Sequence, residues 1–315
     1  MNDIAFGPVP SRRLRRSLGV NNIPPKTCSY SCVYCQLGKT TNLSIERKRF
    51  YDPASIVKEV KSRVDTIRKK DEKIDYITFV PDGEPTLDIN LREEVKELKG
   101  MGIKLAILTN SSLIWKEDVR EDLKMFDLVS LKIDAVDFNA WKRTNRPHPE
   151  LKLSEIMEGI MDFSDEYRGK LLTETMLIAG YNDQKEHIEK LADFIGRLHP
   201  SKSYISIPTR PPAEKRIEGS TEEILNLAYQ MFSEKGIDVE LLTGFEGYNF
   251  SISRDVEKEI LSIASVHPLR EDIMMELLNR LGASKEIIDK LVKDKKLKVI
   301  RYRGKNFFMR RFHSG

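Results

Sequence analysis

The first 245 or so residues alternate short apolar runs with longer charged stretches of helical period. The apolar runs are rich in β-branched residues and end in polar, Gly or Pro residues, as strands do. They predict strands at residues 17–21, 76–80, 105–108, 128–134, 171–178 and 204–207, and the stretches between them predict helices at 53–69, 90–101, 116–125, 154–166, 185–198 and 221–235. Six successive strand–helix units predict an α/β fold, a partial (β/α)6 TIM-like barrel.

Alternation within these strands places charge on the face that would line the barrel. Lys132 and Asp134 share one face of strand 128–134, and Glu174 shares a face with apolar residues of strand 171–178. A closed barrel filled with hydrocarbon layers has no place for these charges. We therefore expect a partly open barrel whose interior binds a polar ligand, the alternative being a Lys–Glu ion pair that only fills space.

The last 65 residues have a different pattern. Three short helical stretches, at residues 255–265, 269–281 and 285–293, precede two apolar runs at 297–302 and 306–310. Three helices and a hairpin predict a winged-helix domain. The expected domains are thus residues 1–250, the barrel, and 251–315, the winged helix.

Charge is unevenly distributed between these two parts. The chain carries +4 overall, whereas residues 251–315 hold fifteen Lys or Arg against nine Asp or Glu, a net charge of +6. Such a basic region favours RNA or DNA as a partner, although winged helices also bind peptides or pack on their own chain. A second basic run lies near the N-terminus. The candidate nucleic-acid contacts are Arg12, Arg13, Lys298, Arg301, Arg303 and Lys305.

The three cysteines of the chain carry the clearest chemical signal. Cys28, Cys32 and Cys35 lie in one short stretch, with three and then two residues between them. Three thiolates can hold three corners of a cubane iron–sulfur cluster and leave the fourth iron open to an outside ligand. An open iron is a catalytic site.

Other uses of these cysteines fit the sequence less well. A structural zinc site needs four Cys or His ligands, and the first histidine, His148, lies more than a hundred residues downstream. A disulfide would leave one cysteine unpaired. The N-terminus lacks the charged start and the apolar run of a secretion signal. We therefore expect a reduced, cytoplasmic protein, and no segment is apolar enough to span a membrane.

The predicted strands end in polar tips that would gather at one end of the barrel. The tips span residues 81–86, 109–112, 132–134, 179–183 and 208–212. In α/β barrels the ligand site forms at the carboxyl ends of the strands. Each tip alone is a common turn, but together they predict a binding site below the cysteine loop.

These residues resemble the radical S-adenosylmethionine (SAM) superfamily. The resemblance rests on the cysteine spacing, on aromatic Tyr34 before the last cysteine, and on Gly83, Glu84 and Pro85 after the second predicted strand. The longer run around the cysteines is similar to iron–sulfur oxidoreductases grouped loosely with the wyosine-tRNA synthases. The resemblance implies one [4Fe-4S] cluster, SAM as a second cofactor, and a low-potential electron donor of the flavodoxin or ferredoxin type.

The resemblance also implies roles for individual residues. Cys28, Cys32 and Cys35 would bind iron, and the backbone of Gly83, Glu84 and Pro85 would meet the methionyl ammonium group of SAM. The adenine and the remaining polar groups of SAM would be met by Tyr34, Asn110, Lys132, Asp134, Gly180 and Pro208.

With no further cysteine, the chain lacks ligands for a second cluster and a thiol to carry a methyl group or quench a radical. The expected activity is cleavage of SAM to a 5′-deoxyadenosyl radical that modifies a macromolecule, with tRNA as the leading substrate. Two alternatives stay open, namely a protein or peptide substrate and an iron–sulfur nucleic-acid-binding regulator without turnover. A regulator has no need of Glu84 or of the inward Lys132 and Asp134.

Overall fold

The strands and helices follow one another along the chain much as the sequence pattern predicts. A computed structural model describes residues 4–11, 13–242, 256–266, 269–302 and 304–310. The strands are β1 (Ala5–Ser11), β2 (Arg15–Val20), β3 (Thr27–Cys28), β4 (Asn42–Leu43), β5 (Tyr76–Phe79), β6 (Lys104–Thr109), β7 (Leu128–Lys132), β8 (Lys170–Met176), β9 (Lys202–Ser206), β10 (Val239–Leu242), β11 (Leu269–Arg270), β12 (Leu297–Tyr302) and β13 (Lys305–Arg310). The helices are α1 (Pro53–Arg68), α2 (Leu91–Lys99), α3 (Glu117–Leu123), α4 (Phe138–Asn145), α5 (Leu153–Glu166), α6 (Lys185–Arg197), α7 (Glu222–Glu234), α8 (Val256–Val266), α9 (Glu271–Leu281) and α10 (Glu286–Lys293), with a short 3-10 helix at Pro85–Leu87.

The main sheet is a curled half-barrel. Its strand order is β1-β2-β5-β6-β7-β8-β9-β10, and every neighbouring pair except β1 and β2 is parallel. Among the described strands β1 and β10 do not pair with each other, so the barrel is open on that side. The partial α/β barrel is confirmed, and it has two more strands than predicted, β1 and β10.

Strand alternation separates two hydrophobic layers. Val129 and Leu131 of β7 pack with the helices in the large core, whereas Leu128 belongs to a small cluster inside the barrel with Leu172 and Tyr204. This is the predicted orientation, with the more apolar face of each strand turned to the helices. Lys132 and Glu174 therefore share the inner side of the sheet, where they are neighbours in register.

The sequence pattern missed strand β1 because proline and glycine interrupt its apolar run. Gly7, Pro8 and Pro10 lie inside Ala5–Ser11, and proline cannot donate a ladder hydrogen bond. β1 tolerates them because it is the edge strand, paired on one side only with β2. It forms an antiparallel hairpin that precedes the parallel units.

The C-terminal residues fold into helices α8, α9 and α10 and a three-stranded antiparallel sheet of order β11-β13-β12. These elements lie close to their predicted positions, while the winged-helix assignment stays a prediction. The predicted boundary at residue 250 lies outside the described residues. Phe6 and Val9 of β1 share a hydrophobic cluster with Ile260 and Leu278, so this C-terminal module packs against the first strand of the barrel. No helix in the described ranges is long and apolar enough to cross a membrane.

Candidate active site

The three cysteines lie on a loop that is closed at its base. β3 and β4 pair in parallel on either side of it, and the Ser44 N–H donates to the Cys28 carbonyl at 3.0 Å. Within the loop the Cys35 N–H donates to the Cys32 carbonyl at 3.1 Å. The pairing of β3 with β4 and this turn hold the three thiols on one short, closed segment, called here the cysteine loop (residues 27–43).

Helix α4 holds the cysteine loop from one side. The N–H groups of Ser31 and Val33 donate to the carbonyls of Asn145 and Thr144, each at 3.0 Å, so the loop satisfies carbonyls at the end of the helix. The sequence pattern predicts no helix here. Asp137 was the available signal, because its side chain caps the helix by accepting two backbone N–H groups at 3.0 Å.

The three cysteines are partly buried, and the thiols of Cys28 and Cys32 each receive a hydrogen bond from a side-chain amide. Asn110 Nδ2 lies 3.4 Å from Cys28 Sγ, and Asn145 Nδ2 lies 3.5 Å from Cys32 Sγ. Burial raises the pKa of all three thiols, that of Cys32 to about 12. Iron binds thiolates, so a metal charge is needed to offset the cost of ionising Cys28, Cys32 and Cys35 in this site.

The donor set fits an iron–sulfur cubane better than a single metal ion. All three cysteines are free thiols. In the part of the chain that the structure describes, no three His, Cys, Asp or Glu side chains lie close enough to share one ion. A cubane takes its thiolates on three different irons, so its ligands stand further apart than those of a single zinc ion.

The predicted Gly83, Glu84 and Pro85 segment lies directly against the cysteine loop. The Glu84 N–H donates to the Thr27 carbonyl at 3.1 Å, and Asn22 Nδ2 donates to the Pro85 carbonyl at 3.1 Å. A Cβ on Gly83 would lie 1.9 Å from the Thr27 carbonyl oxygen. Only glycine permits this approach of two backbones.

The Glu84 carboxylate is fully buried and joins the tips of β5 and β6. It accepts the Thr86 N–H at 3.1 Å, the Asn110 N–H at 2.7 Å, and the hydroxyls of Thr86 and Thr109 at 2.6 Å each. Burial raises the pKa of Glu84, while these hydrogen bonds act to lower it. Glu84 thereby positions Asn110, whose amide contacts Cys28.

Asp134 is a buried acceptor at the end of β7. Its Oδ1 accepts the Met176 N–H at 2.8 Å, and its Oδ2 accepts Asn145 Nδ2 at 2.8 Å and the Tyr34 hydroxyl. Lys132 Nζ lies 3.4 Å from Asp134 and 5.2 Å from the centre of the Tyr34 ring. These contacts bring predicted site residues together, with Asp134 holding Tyr34 and Asn145.

The interior ion pair considered from the sequence is present and belongs to a wider network. Lys132 Nζ lies 3.4 Å from Glu174 Oε1, and Arg13 forms a salt bridge with Glu174 Oε2. Arg13 was expected as a nucleic-acid contact. The structure places its side chain inside the barrel, at the end of the β1–β2 hairpin, because Glu174 is there to pair with it.

Gly180 and Pro208 follow the carboxyl ends of β8 and β9. Gly180 has a φ of +74° and donates its N–H to Asp183 Oδ1 at 2.8 Å. The Pro208 carbonyl accepts the Tyr302 hydroxyl at 3.4 Å. Pro208 therefore lies where the C-terminal module meets the rim of the barrel.

The sequence that spans the cysteine loop and most of the strand tips matches a known protein family. The sequence model of the radical SAM superfamily matches residues 22–195, more than half of the chain. The chain belongs to the radical SAM superfamily. Membership of this superfamily implies that the enzyme uses SAM and a [4Fe-4S] cluster.

Known proteins similar to this chain include two sequence relatives and one solved structure. A UPF0026 protein of Methanocaldococcus jannaschii is 50% identical over 99% of this chain and 97% of its own length. A probable dual-specificity RNA methyltransferase RlmN of Shouchella clausii is 24% identical over 67% of this chain and 60% of its own length. A solved structure of TYW1 with a lysine–pyruvate adduct bound has a TM-score of 0.52 at 17% identity, covering 70% of this chain and 73% of its own, and shows the same fold.

Of the basic residues proposed from the sequence as nucleic-acid contacts, the four that the structure describes do not share one surface. Arg12 and Arg303 lie outside the described residues. Arg301 and Lys305 are exposed on the β12–β13 hairpin. Lys298 lies on the alternate face of β12 from Arg301, because side chains alternate along a strand.

Proposed function

We propose that Cys28, Cys32 and Cys35 hold one [4Fe-4S] cluster, that SAM binds its open iron, and that the enzyme uses SAM to modify RNA, tRNA above all. One observation carries the cofactor assignment. Three partly buried free thiols lie on a closed loop that contacts the tips of β5 and β6 and helix α4. When bound, the cluster supplies an electron that cleaves SAM and releases a 5′-deoxyadenosyl radical for hydrogen abstraction.

The residues around the cysteine loop position groups for this chemistry. Asn110 and Asn145 donate to sulfur atoms, which stabilises the thiolate form once metal is present. Gly83 lets its loop approach the cysteine loop, where the backbone would meet the methionyl ammonium group. Lys132 supplies a cation for the methionyl carboxylate, and Asp134 holds Tyr34 near the adenine.

The RNA assignment is supported by charge, by position and by a relative. Residues 251–315 carry a net charge of +6 from fifteen basic and nine acidic residues. The hairpin with exposed Arg301 and Lys305 contacts the barrel rim through Tyr302 and Pro208. A phosphate backbone on this hairpin would therefore lie close to the strand tips. The RlmN relative is named an RNA methyltransferase.

The cofactor proposal is tested by SAM cleavage. Reconstituted enzyme reduced with dithionite, in place of its proposed flavodoxin or ferredoxin donor, should yield methionine and 5′-deoxyadenosine. Cys32→Ala should lose the four-iron spectrum and this product together. Wild-type enzyme with an intact cluster that forms no 5′-deoxyadenosine would refute the proposal.

The substrate proposal needs separate experiments. Deuterium exchange between 5′-deoxyadenosine and cell RNA or protein fractions should label the RNA, and label confined to protein would reject the RNA assignment. The double variant Arg301→Ala/Lys305→Ala should bind tRNA more weakly and reduce the salt slope by about 2. Lys96→Ala/Lys99→Ala, which removes two exposed lysines from α2, is the matched control. Equal tRNA affinity of the two double variants would refute the hairpin's role.

A further inference from the structure

A cavity of about 150 Å³ lies inside the barrel. Its walls come from the β1–β2 hairpin, the inner faces of β5, β6, β8, β9 and β10, and residues 207–210 after β9. The residues that line it include Val9, Arg13, Thr78, Glu174, Ser206 and Arg210. Hydroxyl and charged groups share this space with apolar side chains, as in sites for small ligands.

The cavity is closed at the amino ends of the strands by the β1–β2 hairpin. Leu14 is buried in a cluster with Ala106, Leu128, Leu172 and Tyr204. Arg13, next to it, reaches Glu174 across the interior. Because Leu14 and its apolar neighbours block this end, a ligand would enter from the carboxyl ends of the strands, where the cysteine loop lies.

Positive charge prevails among the described side chains that line the cavity. Arg13 and Arg210 are cationic, and Glu174 is anionic. Glu174 also accepts a hydrogen bond from Ser206 Oγ at 3.2 Å and lies 3.4 Å from Lys132 Nζ. The carboxylate thus faces cations on two sides, and a second anion in the cavity would find a favourable field.

Two contacts connect the cavity to the cysteine loop. Arg210 Nη1 donates to Gln36 Oε1 at 3.1 Å, and Gln36 directly follows Cys35. On the other side Lys132, which contacts Glu174, lies over the ring of Tyr34. Arg210 thus connects the cavity to Gln36, so a ligand bound by Arg210 would lie close to the proposed cluster.

We propose that this cavity binds a compact anion of about six non-hydrogen atoms through a carboxylate or phosphate group held by Arg210 and Arg13. The size follows from the volume, since an engineered protein cavity of about 150 Å³ accommodates benzene. Arginine presents paired N–H donors that match both kinds of oxyanion. The assignment of this anion as a reactant rests on the proposed function, whereas its binding does not.

Calorimetric titration of the full-length protein tests the proposal without turnover. The probes are propionate, inorganic phosphate and neutral propionamide. At least one anion should bind, and propionamide should bind at least tenfold more weakly. Tighter binding of propionate identifies a free carboxylic acid as the ligand, and tighter binding of phosphate identifies a phosphate group.

Variants locate the binding. Arg210→Gln should weaken anion binding at least tenfold, Arg210→Lys should recover part of it, and Arg168→Gln, at an exposed arginine, should match wild type. Circular dichroism spectra establish that each variant is folded. Binding of neither anion below about 10 mM, or equal affinity of Arg210→Gln and wild type, overturns the proposal. SAM cleavage that persists in that case separates this failure from failure of the proposed function.

Discussion

Gly83→Ala is expected to separate the loop that carries Gly83 from the cysteine loop. The new methyl group would lie 1.9 Å from the Thr27 carbonyl oxygen and 2.9 Å from Ile23 Cδ1. The first neighbour is backbone, held in place by the β3–β4 pair, so it cannot rotate away. The loop at Gly83 must therefore move, and the hydrogen bond from the Glu84 N–H to Thr27 is strained or lost.

The cost can be estimated from these two effects. Overpacking a tight site costs about 1–3 kcal/mol, and one lost backbone hydrogen bond costs about 1 kcal/mol. Together they predict a loss of about 2–4 kcal/mol, which corresponds to a Tm lower by about 3–6 °C for a chain of this size. Displacement of Glu84 would also move Asn110 away from Cys28, so less iron should bind.

The assay pairs thermal unfolding of the metal-free protein with iron content after reconstitution. Gly100→Ala is the matched control. Gly100 has a φ of −60°, and the nearest atom to an added Cβ is the Glu97 carbonyl oxygen at 3.6 Å, an ordinary contact. This control should retain full iron and melt at or slightly above the wild-type temperature. A Gly83→Ala protein with the wild-type Tm and full iron content would refute the packing argument.

Two further changes test buried polar side chains on helices α2 and α4. Burial and the neighbouring charge of Asp88 raise the pKa of Glu94 to about 9. Between about pH 4.5 and 9 Glu94 is ionised in the unfolded chain but keeps its proton in the folded chain. The free energy of unfolding therefore falls as the pH rises through this range. Glu94→Gln should therefore raise the Tm more at pH 8 than at pH 5, and an equal shift at both would contradict this. Asn145→Ala removes hydrogen bonds to Asp134 and Cys32 and should cost about 1–3 kcal/mol and lower iron binding. Exposed Asn139→Ala on the same helix should do neither, and equal iron content in the two variants would argue against a role for Asn145.

Much of the fold was predictable because it depends on local periodicity. The alternation in β7 placed Val129 toward the helices and Lys132 toward the interior, as the structure has them. Strand β1 was missed because Pro8 and Pro10 weaken a strand signal unless the strand is known to lie at an edge. Helix α4 was missed because it is only eight residues long, and Asp137 was its one clear start signal.

Some residues of the candidate site could be recognised from the sequence, but their contacts could not. Glu84 and Asn110 were recognised, but their joint role depends on Glu84 accepting the Asn110 N–H. Asn145 went unrecognised because an asparagine at a helix end is common, and only its contacts with Cys32 and Asp134 distinguish it. Arg13 was assigned to a nucleic-acid surface because a run of arginines does not reveal which side chain turns inward.

The sequence by itself determined the spacing of Cys28, Cys32 and Cys35 and the inward face of the strands, because neighbours a few residues apart obey the geometry of loops and strands. Tertiary structure alone decided that Arg13 meets Glu174, a residue 161 positions away, and that α4 holds the cysteine loop. Those contacts depend on how the sheet curls and on which elements close it. A chain segment carries no local signal of what will face it across a barrel.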